Sequence, residues 1–214
     1  MIVADVMSKT PIFINPDVSL TEAKALMSKE KISKLPILDK NNKLVGIVTK
    51  NDLQKAAPSA ATTLDIYEVG YLLSKLKVEK IMSKPVISVN VGELIEEAAR
   101  MMTDNKIGCL PVMKDGILAG IITETDLFRA FIEMFGARYK GVRIEIEIAE
   151  KPGEIAKISQ HIAEQNGNIV SIVTREGSDV TKRFITMRIT NVGIDSVRQI
   201  LTADKIKVFD IREV

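Results

Sequence analysis

The stretch Leu44-Val-Gly-Ile-Val-Thr-Lys-Asn-Asp-Leu53 returns as Leu118-Ala-Gly-Ile-Ile-Thr-Glu-Thr-Asp-Leu127. Each reads as a β-branched strand running straight into a helix, with Thr and Asp three residues apart at the junction. Working outward, the likeness continues. Upstream of each stretch lie Ile32-Ser-Lys-Leu-Pro-Ile37 and Ile107-Gly-Cys-Leu-Pro-Val112, joined to it by turns rich in Asp, Asn and Gly. Further upstream, apolar residues at helical spacing (Leu20, Ala23, Leu26, Met27; Ile95, Ala98, Ala99, Met102) follow short β-prone runs. Each unit opens on a matching leader, Asp5-Val-Met-Ser-Lys-Thr-Pro11 or Lys80-Ile-Met-Ser-Lys-Pro85, at a spacing of about 75. These patterns predict two copies of one β-α-β-β-α unit, over residues 1–57 and 78–135.

Between the copies, Ala56–Thr63 has linker composition, and Leu64–Lys77 carries a helical apolar face of Ile66, Val69, Leu72, Leu73 and Leu76. Residues 58–77 therefore read as linker and connecting helix, packing on the repeat pair or on a partner chain.

Residues 141–214 have another rhythm. Val142-Arg-Ile-Glu-Ile-Glu-Ile148 alternates as a half-buried strand does. Lys151–Ile155 turns into a helix with the stripe Ile155, Ile158, Ile162 and Ala163, followed by strands at Asn168–Arg175 and Arg183–Ile189. A short helix, Ile194–Leu201, and a last strand, Ile206–Ile211, complete a β-α-β-β-α-β order, which is ferredoxin-like. The expected fold class is α+β.

Composition narrows function. One cysteine, Cys109, and one histidine, His161, in 214 residues exclude an intrachain disulfide and the usual zinc sites, so no metal centre is expected. With 30 basic and 28 acidic side chains there is no basic footprint for nucleic acid. No apolar run approaches the roughly 20 residues that span a bilayer, and the N-terminus has no signal-peptide pattern. A cytoplasmic protein with neither nucleic-acid nor membrane partners is expected. No nucleophile–base pair or phosphate loop is visible, so an enzyme ranks last and no catalytic residue is assigned. Cys109 reads as a buried structural thiol, His161 as a packing or surface residue, and Glu145 with Glu147 as a solvated strand face.

Two readings of Thr49…Asp52 and Thr123…Asp126 stand side by side. Thr at a helix start with a carboxylate three residues on is a capping box. The same carboxylate can accept both hydroxyls of a ribose, while the Thr hydroxyl and helix-start amides meet phosphate. Gly46 and Gly120, three residues before each Thr, leave room for close approach.

On the Met-Ser-Lys leaders, the Leu-Pro-Ile and Leu-Pro-Val strands and the two Gly-Ile-x-Thr-x-x-Asp segments, residues 1–133 resemble a tandem pair of CBS domains, a Bateman module. The resemblance implies two clefts about a pseudo-twofold axis, holding AMP, ADP, ATP or S-adenosylmethionine as a regulatory ligand. Carried over, it points to Thr10, Pro11, Ile12, Phe13, Ile14, Lys34, Leu35, Pro36, Thr49 and Asp52 for one site. For the other it points to Pro85, Val86, Ile87, Cys109, Leu110, Pro111, Thr123 and Asp126. Lys34 in the first group stands where Cys109 stands in the second, and Lys50 where Glu124 stands, so the first site is expected to prefer anionic nucleotides.

The segment Glu150-Lys-Pro-Gly-Glu-Ile155 with Gly167-Asn-Ile169 resembles an ACT domain. That implies dimerisation and an amino-acid site at Pro152, Gly153, Glu154, Ile155, Asn168 and Ile169. The order of domains resembles stand-alone regulators of the acetoin-utilisation protein B type. The expectation is a homodimeric, non-enzymatic sensor of adenine nucleotide acting on a metabolic enzyme. The alternatives are an S-adenosylmethionine sensor or a ligand-free adaptor.

Overall fold

The computed structural model describes residues 1–56 and 65–214, so the linker expected at Ala56–Thr63 lies outside it from residue 57 onward, as does Leu64. The described chain forms two compact units, Met1–Leu127 and Phe128–Val214.

In the first unit the elements run α1 (Val3–Val6), β1 (Ser8–Lys9), α2 (Leu20–Lys29), β2 (Lys34–Leu38), β3 (Leu44–Thr49) and α3 (Lys50–Ala56). Then come α4 (Ile66–Lys75), a 3₁₀ turn at Val78–Lys80, β4 (Val89–Asn90), α5 (Ile95–Asn105), β5 (Cys109–Lys114) and β6 (Ile117–Thr123), and α6 (Glu124–Met134) begins in this unit and ends in the next. Local chemistry starts the helices. Ser19 and Glu22 close a capping box on α2, and the Asp65 carboxylate accepts from the Tyr67 and Glu68 amides at 2.8 Å on α4. The α4 face packs Leu73 and Leu76 on the first copy's core, while Leu72 stays 49% exposed.

The two copies are interleaved. Each leader joins the other copy. Val3 N and Ala4 N donate to Glu93 O and Val91 O, and Ile95 N donates to Met1 O. In reciprocal fashion Val78 N and Glu79 N donate to Val18 O and Pro16 O, and Leu20 N donates to Leu76 O. Each bond of one set maps onto the other by a shift of 75 positions, so the sequence repeat is also the symmetry of the exchange. Strand β1 pairs antiparallel with β6, giving the sheet order β1-β6-β5-β4, and Ser83 bridges Ile47 on β3 of the β2-β3 pair. The exchanged Val3 and Val78 are fully buried, Val78 within the core built by Leu20, Ala23, Met27, Leu35, Ile37 and Val48. That burial is the driving force for the crossing, since each fully buried Val contributes about 1.5–3 kcal/mol.

The crossing also explains the two glycines. A Cβ on Gly46 would sit 2.2 Å from Met82 Sδ, and one on Gly120 would sit 2.6 Å from Met7 Sδ and 2.7 Å from the Ser8 carbonyl. The space expected for a ligand is filled by the other copy's leader methionine.

The second unit continues with β7 (Val142–Ala149), α7 (Glu154–Glu164), β8 (Asn168–Glu176), β9 (Lys182–Thr190), α8 (Ile194–Ala203) and β10 (Lys207–Glu213). The sheet order is β10-β7-β9-β8, all antiparallel, as the ferredoxin-like pattern requires. Ile144, Ile146, Ile185, Met187 and Ile189 are fully buried under Ile158, Ile162, Val197 and Leu201 of the helices. Two expectations fail here. Ile155 is 40% exposed and Ala163 is exposed, so the α7 stripe is narrower than its spacing suggests. Glu147 is not solvated but buried, accepting from Ser178 N at 3.1 Å and from Lys207 Nζ at 3.5 Å. Its pKa is lowered, chiefly by the hydrogen bonding from Ser178. Its neighbour Glu145 binds Arg175 at 2.6 Å and Arg143 at 3.4 Å. Paired charges, Glu147 with Lys207 on the neighbouring strand and Glu145 with Arg143 and Arg175, replace the open polar face.

Candidate functional site

The Thr-Asp junctions form complete capping boxes. Thr49 N and Oγ1 donate to Asp52 Oδ2 at 2.8 and 2.7 Å, and Asp52 N donates back to Thr49 Oγ1 at 3.3 Å. The second copy repeats this with Thr123 and Asp126 at 2.9, 2.7 and 3.4 Å. The capping reading is therefore realised at both junctions. It does not exhaust Asp52, because only Oδ2 is engaged. Among the described residues Asp52 Oδ1 has no hydrogen-bond partner, and Asp52 lines a cavity of about 510 Å³. That volume suits a nucleoside-sized ligand. Asp126 is 7% exposed, has a further partner, and does not line this cavity.

The cavity draws on both copies. From the first come Ser33, Lys34, Ile47, Thr49, Lys50, Asn51, Asp52 and Lys55. From the second come Ser83, Pro85, Val86, Ile87, Lys106, Ile107, Gly108, Cys109, Pro111 and Glu124. The leader exchange produces this mixture. Ser83, bridged to Ile47, carries Pro85–Ile87 to the end of β3 where α3 begins. The residues expected as two separate groups are thus regrouped: Lys34, Thr49 and Asp52 share a cavity with Pro85, Val86, Ile87, Cys109 and Pro111. The segment Thr10–Ile14 leaves this cavity because Lys9 pairs with Gly120 on β6. Along it Thr10, Ile12 and Phe13 are exposed, Pro11 half-buried, and Ile14 buried against Ile37. Leu35 and Leu110 are fully buried, and Pro36 is buried, so these three serve the core rather than the cavity wall.

Lys34 and Cys109 occupy equivalent ladder positions, opposite Thr49 and Thr123, yet both face one cavity. Burial pushes the Cys109 thiol up to about 11; Lys34 pulls the other way, while Glu124 and Asp52 add to the rise. A thiol so shifted is a packing group and not a nucleophile. Eight residues of the wall were not among the expected site residues: Ser33, Ile47, Asn51, Lys55, Ser83, Lys106, Ile107 and Gly108. Only the position of Lys55 one turn after Asp52 could have suggested any of them.

In the second unit, Pro152 and Gly153 are exposed, and Gly153 takes φ +92° as it opens α7 at Glu154. Asn168 is exposed at the start of edge strand β8, while Ile169 packs on the core. His161 is held by Asp204, Nδ1 to Oδ2 at 2.6 Å, and Lys157 binds the same carboxylate at 2.8 Å. Hydrogen bonding from Lys157, then from His161, holds Asp204 below its usual range. This cluster ties α7 to the end of α8, which gives His161 a structural role. Among the described residues no group of His, Cys, Asp and Glu could hold a metal, and no helix is long and apolar enough to cross a membrane.

Comparison with known proteins agrees with this fold. The CBS domain family matches residues 3–59 and 78–133, and the TTHA0829-like ACT domain matches residues 140–212. Among solved structures, the putative acetoin utilization protein from Vibrio cholerae is 33% identical with a TM-score of 0.53, covering 64% of this chain and 95% of that one. The CBS domain pair of protein MJ0100, solved in complex with 5′-methylthioadenosine and S-adenosyl-L-methionine, is 31% identical with a TM-score of 0.52, covering 65% of this chain and 98% of that one. Among curated proteins, the L-aspartate semialdehyde sulfurtransferase of Methanocaldococcus jannaschii is 33% identical over 131 residues. That match takes in 61% of this chain but spans only 23% of the sulfurtransferase. The repeat, the exchanged leaders and these matches together establish that the chain belongs to the CBS-domain family, as a tandem CBS pair followed by an ACT domain.

Proposed function

We propose that the chain is a regulatory small-molecule sensor whose CBS pair binds an adenine nucleotide of the AMP, ADP or ATP class. The observation that carries this is the position of Asp52 in the two-copy cavity. Its free Oδ1 is set to accept ribose hydroxyls while Thr49 holds the other oxygen in place. Pro85–Ile87, Ile47 and Pro111 supply the apolar walls that an adenine ring needs, and the lysines supply charge for phosphate. Such a ligand touches both copies at once, so it acts on whatever equilibrium relates them. The ACT domain serves dimerisation in this reading, with an amino-acid site at Pro152–Ile155 and Asn168–Ile169, and the regulated partner is a metabolic enzyme. The protein is cytoplasmic and not itself an enzyme. Because the MJ0100 pair was solved with S-adenosyl-L-methionine, a sensor of that sulfonium is the second reading. The test is mass spectrometry of small molecules released from purified protein, followed by thermal shift with AMP, ADP, ATP, S-adenosylmethionine and amino acids. A nucleotide at 100 times its Kd should stabilise by about 2.7 kcal/mol. A flat response to every compound overturns the sensor and leaves a ligand-free adaptor.

A further inference from the structure

The cavity wall carries Lys34, Lys50, Lys55 and Lys106 against only two carboxylates, Asp52 and Glu124. None of the four ammonium groups forms an ion pair among the described residues, although paired lysines occur elsewhere on the surface. Asp52 Oδ2 receives both Thr49 donors, and its Oδ1 is left for the ligand. The cations come from both copies. Lys34 opens β2, Lys50 and Lys55 stand on α3, and Lys106 is the left-handed C-cap of α5 at φ +54°. Unpaired cations around one cavity interact with each negative charge a ligand brings, and repel a positive one.

We infer that this cavity selects its ligand by the number of phosphates, with Lys106 of the second copy adding to the charge that meets a di- or triphosphate, and that it rejects the cationic sulfonium of S-adenosylmethionine. The inference rests on the proposed reading of the cavity as a nucleotide site and adds its specificity. Three of the lysines are exposed and Lys34 is half-buried, so solvent screens their attraction and the selectivity should weaken with salt.

Isothermal titration of the full chain with AMP, ATP, S-adenosylmethionine and inorganic tripolyphosphate, at 50 and 500 mM salt, tests it. At low salt ATP should bind at least tenfold more tightly than AMP, and S-adenosylmethionine at least tenfold more weakly than AMP. At high salt the ATP-to-AMP ratio should fall below about threefold. Lys106→Asn, which keeps a residue tolerant of the left-handed backbone, should weaken ATP at least fivefold and AMP less than twofold. Its melting temperature guards against a folding effect. Equal ATP and AMP affinities, or S-adenosylmethionine binding as tightly as AMP, overturn the inference while leaving an adenosine site intact. Tripolyphosphate binding without any adenosine compound binding overturns the nucleotide reading and leaves the polyphosphate selectivity. If none of the four binds, both fall.

Discussion

The Thr49–Asp52 and Thr123–Asp126 junctions agree to within 0.1 Å in all three of their hydrogen bonds, yet they stand in different surroundings. Asp52 is half-buried on a cavity wall, flanked on its own helix by Lys50 and Lys55, which line the same cavity. Asp126 is buried, and the residue that follows Thr123 is Glu124, which turns toward the first copy's cavity. An identical local motif is thus a helix cap in both copies, and what it can add to that role is set by neighbours from the other copy. The same holds for the glycines. Gly46 and Gly120 play one part, but Gly46 faces only the flexible Met82 side chain, whereas Gly120 also faces the Ser8 backbone.

That contrast between copies can be broken by substitution. The largest effect is expected at the glycines. Gly120→Ala pushes a Cβ against a carbonyl that cannot swing aside, and should cost about 2–3 kcal/mol by denaturant unfolding, while Gly46→Ala should cost about 1 kcal/mol as Met82 moves. Equal costs would mean that the two crossings are alike in rigidity. Next comes ligand binding. Asp52→Ala should weaken the preferred adenine nucleotide at least tenfold, about 1.4 kcal/mol, and Asp126→Ala less than twofold in titration calorimetry. Both variants should lose the cap, about 0.5–2 kcal/mol of stability each, so stability alone does not separate them. A binding loss confined to Asp126→Ala would reverse the assignment of the site.

The smallest effect concerns Cys109, which faces Lys34 across the same cavity. With its thiol pushed up to about 11, the thiolate fraction at pH 8 is on the order of 0.1%. Alkylation followed by mass spectrometry should be negligible at pH 8 and rise steadily toward pH 11. The sign for stability follows. The folded thiol keeps its proton above the ordinary value of 9.0, so its contribution is intact below that pH and is lost as pH rises through about 11. Rapid labelling at pH 8 would show that β5 opens in solution.

Much of this was legible locally. The strand-to-helix junctions, the turns between β2 and β3 and between β5 and β6, and the alternation of Val142–Ile148 all depend on near neighbours, and all formed as their patterns predict. Glu147 was misread because period-2 alternation separates two faces of a strand but does not say what covers the second one. Ser178 and Lys207 lie 31 and 60 positions away and close over it.

By itself, the sequence determined two β-α-β-β-α units, a ferredoxin-like unit and the capped Thr-Asp junctions, because hydrophobic period, turn residues and caps act over a few residues. Only the tertiary structure decided which copy each Met-Ser-Lys leader joins. In a tandem repeat, a leader meets the same local preferences on either copy, and the choice between them is made by long-range burial of Val3 and Val78 and by the fit of Met7 and Met82 over glycine. That choice in turn placed Pro85–Ile87 beside Asp52 and brought Lys34 and Cys109 to one cavity.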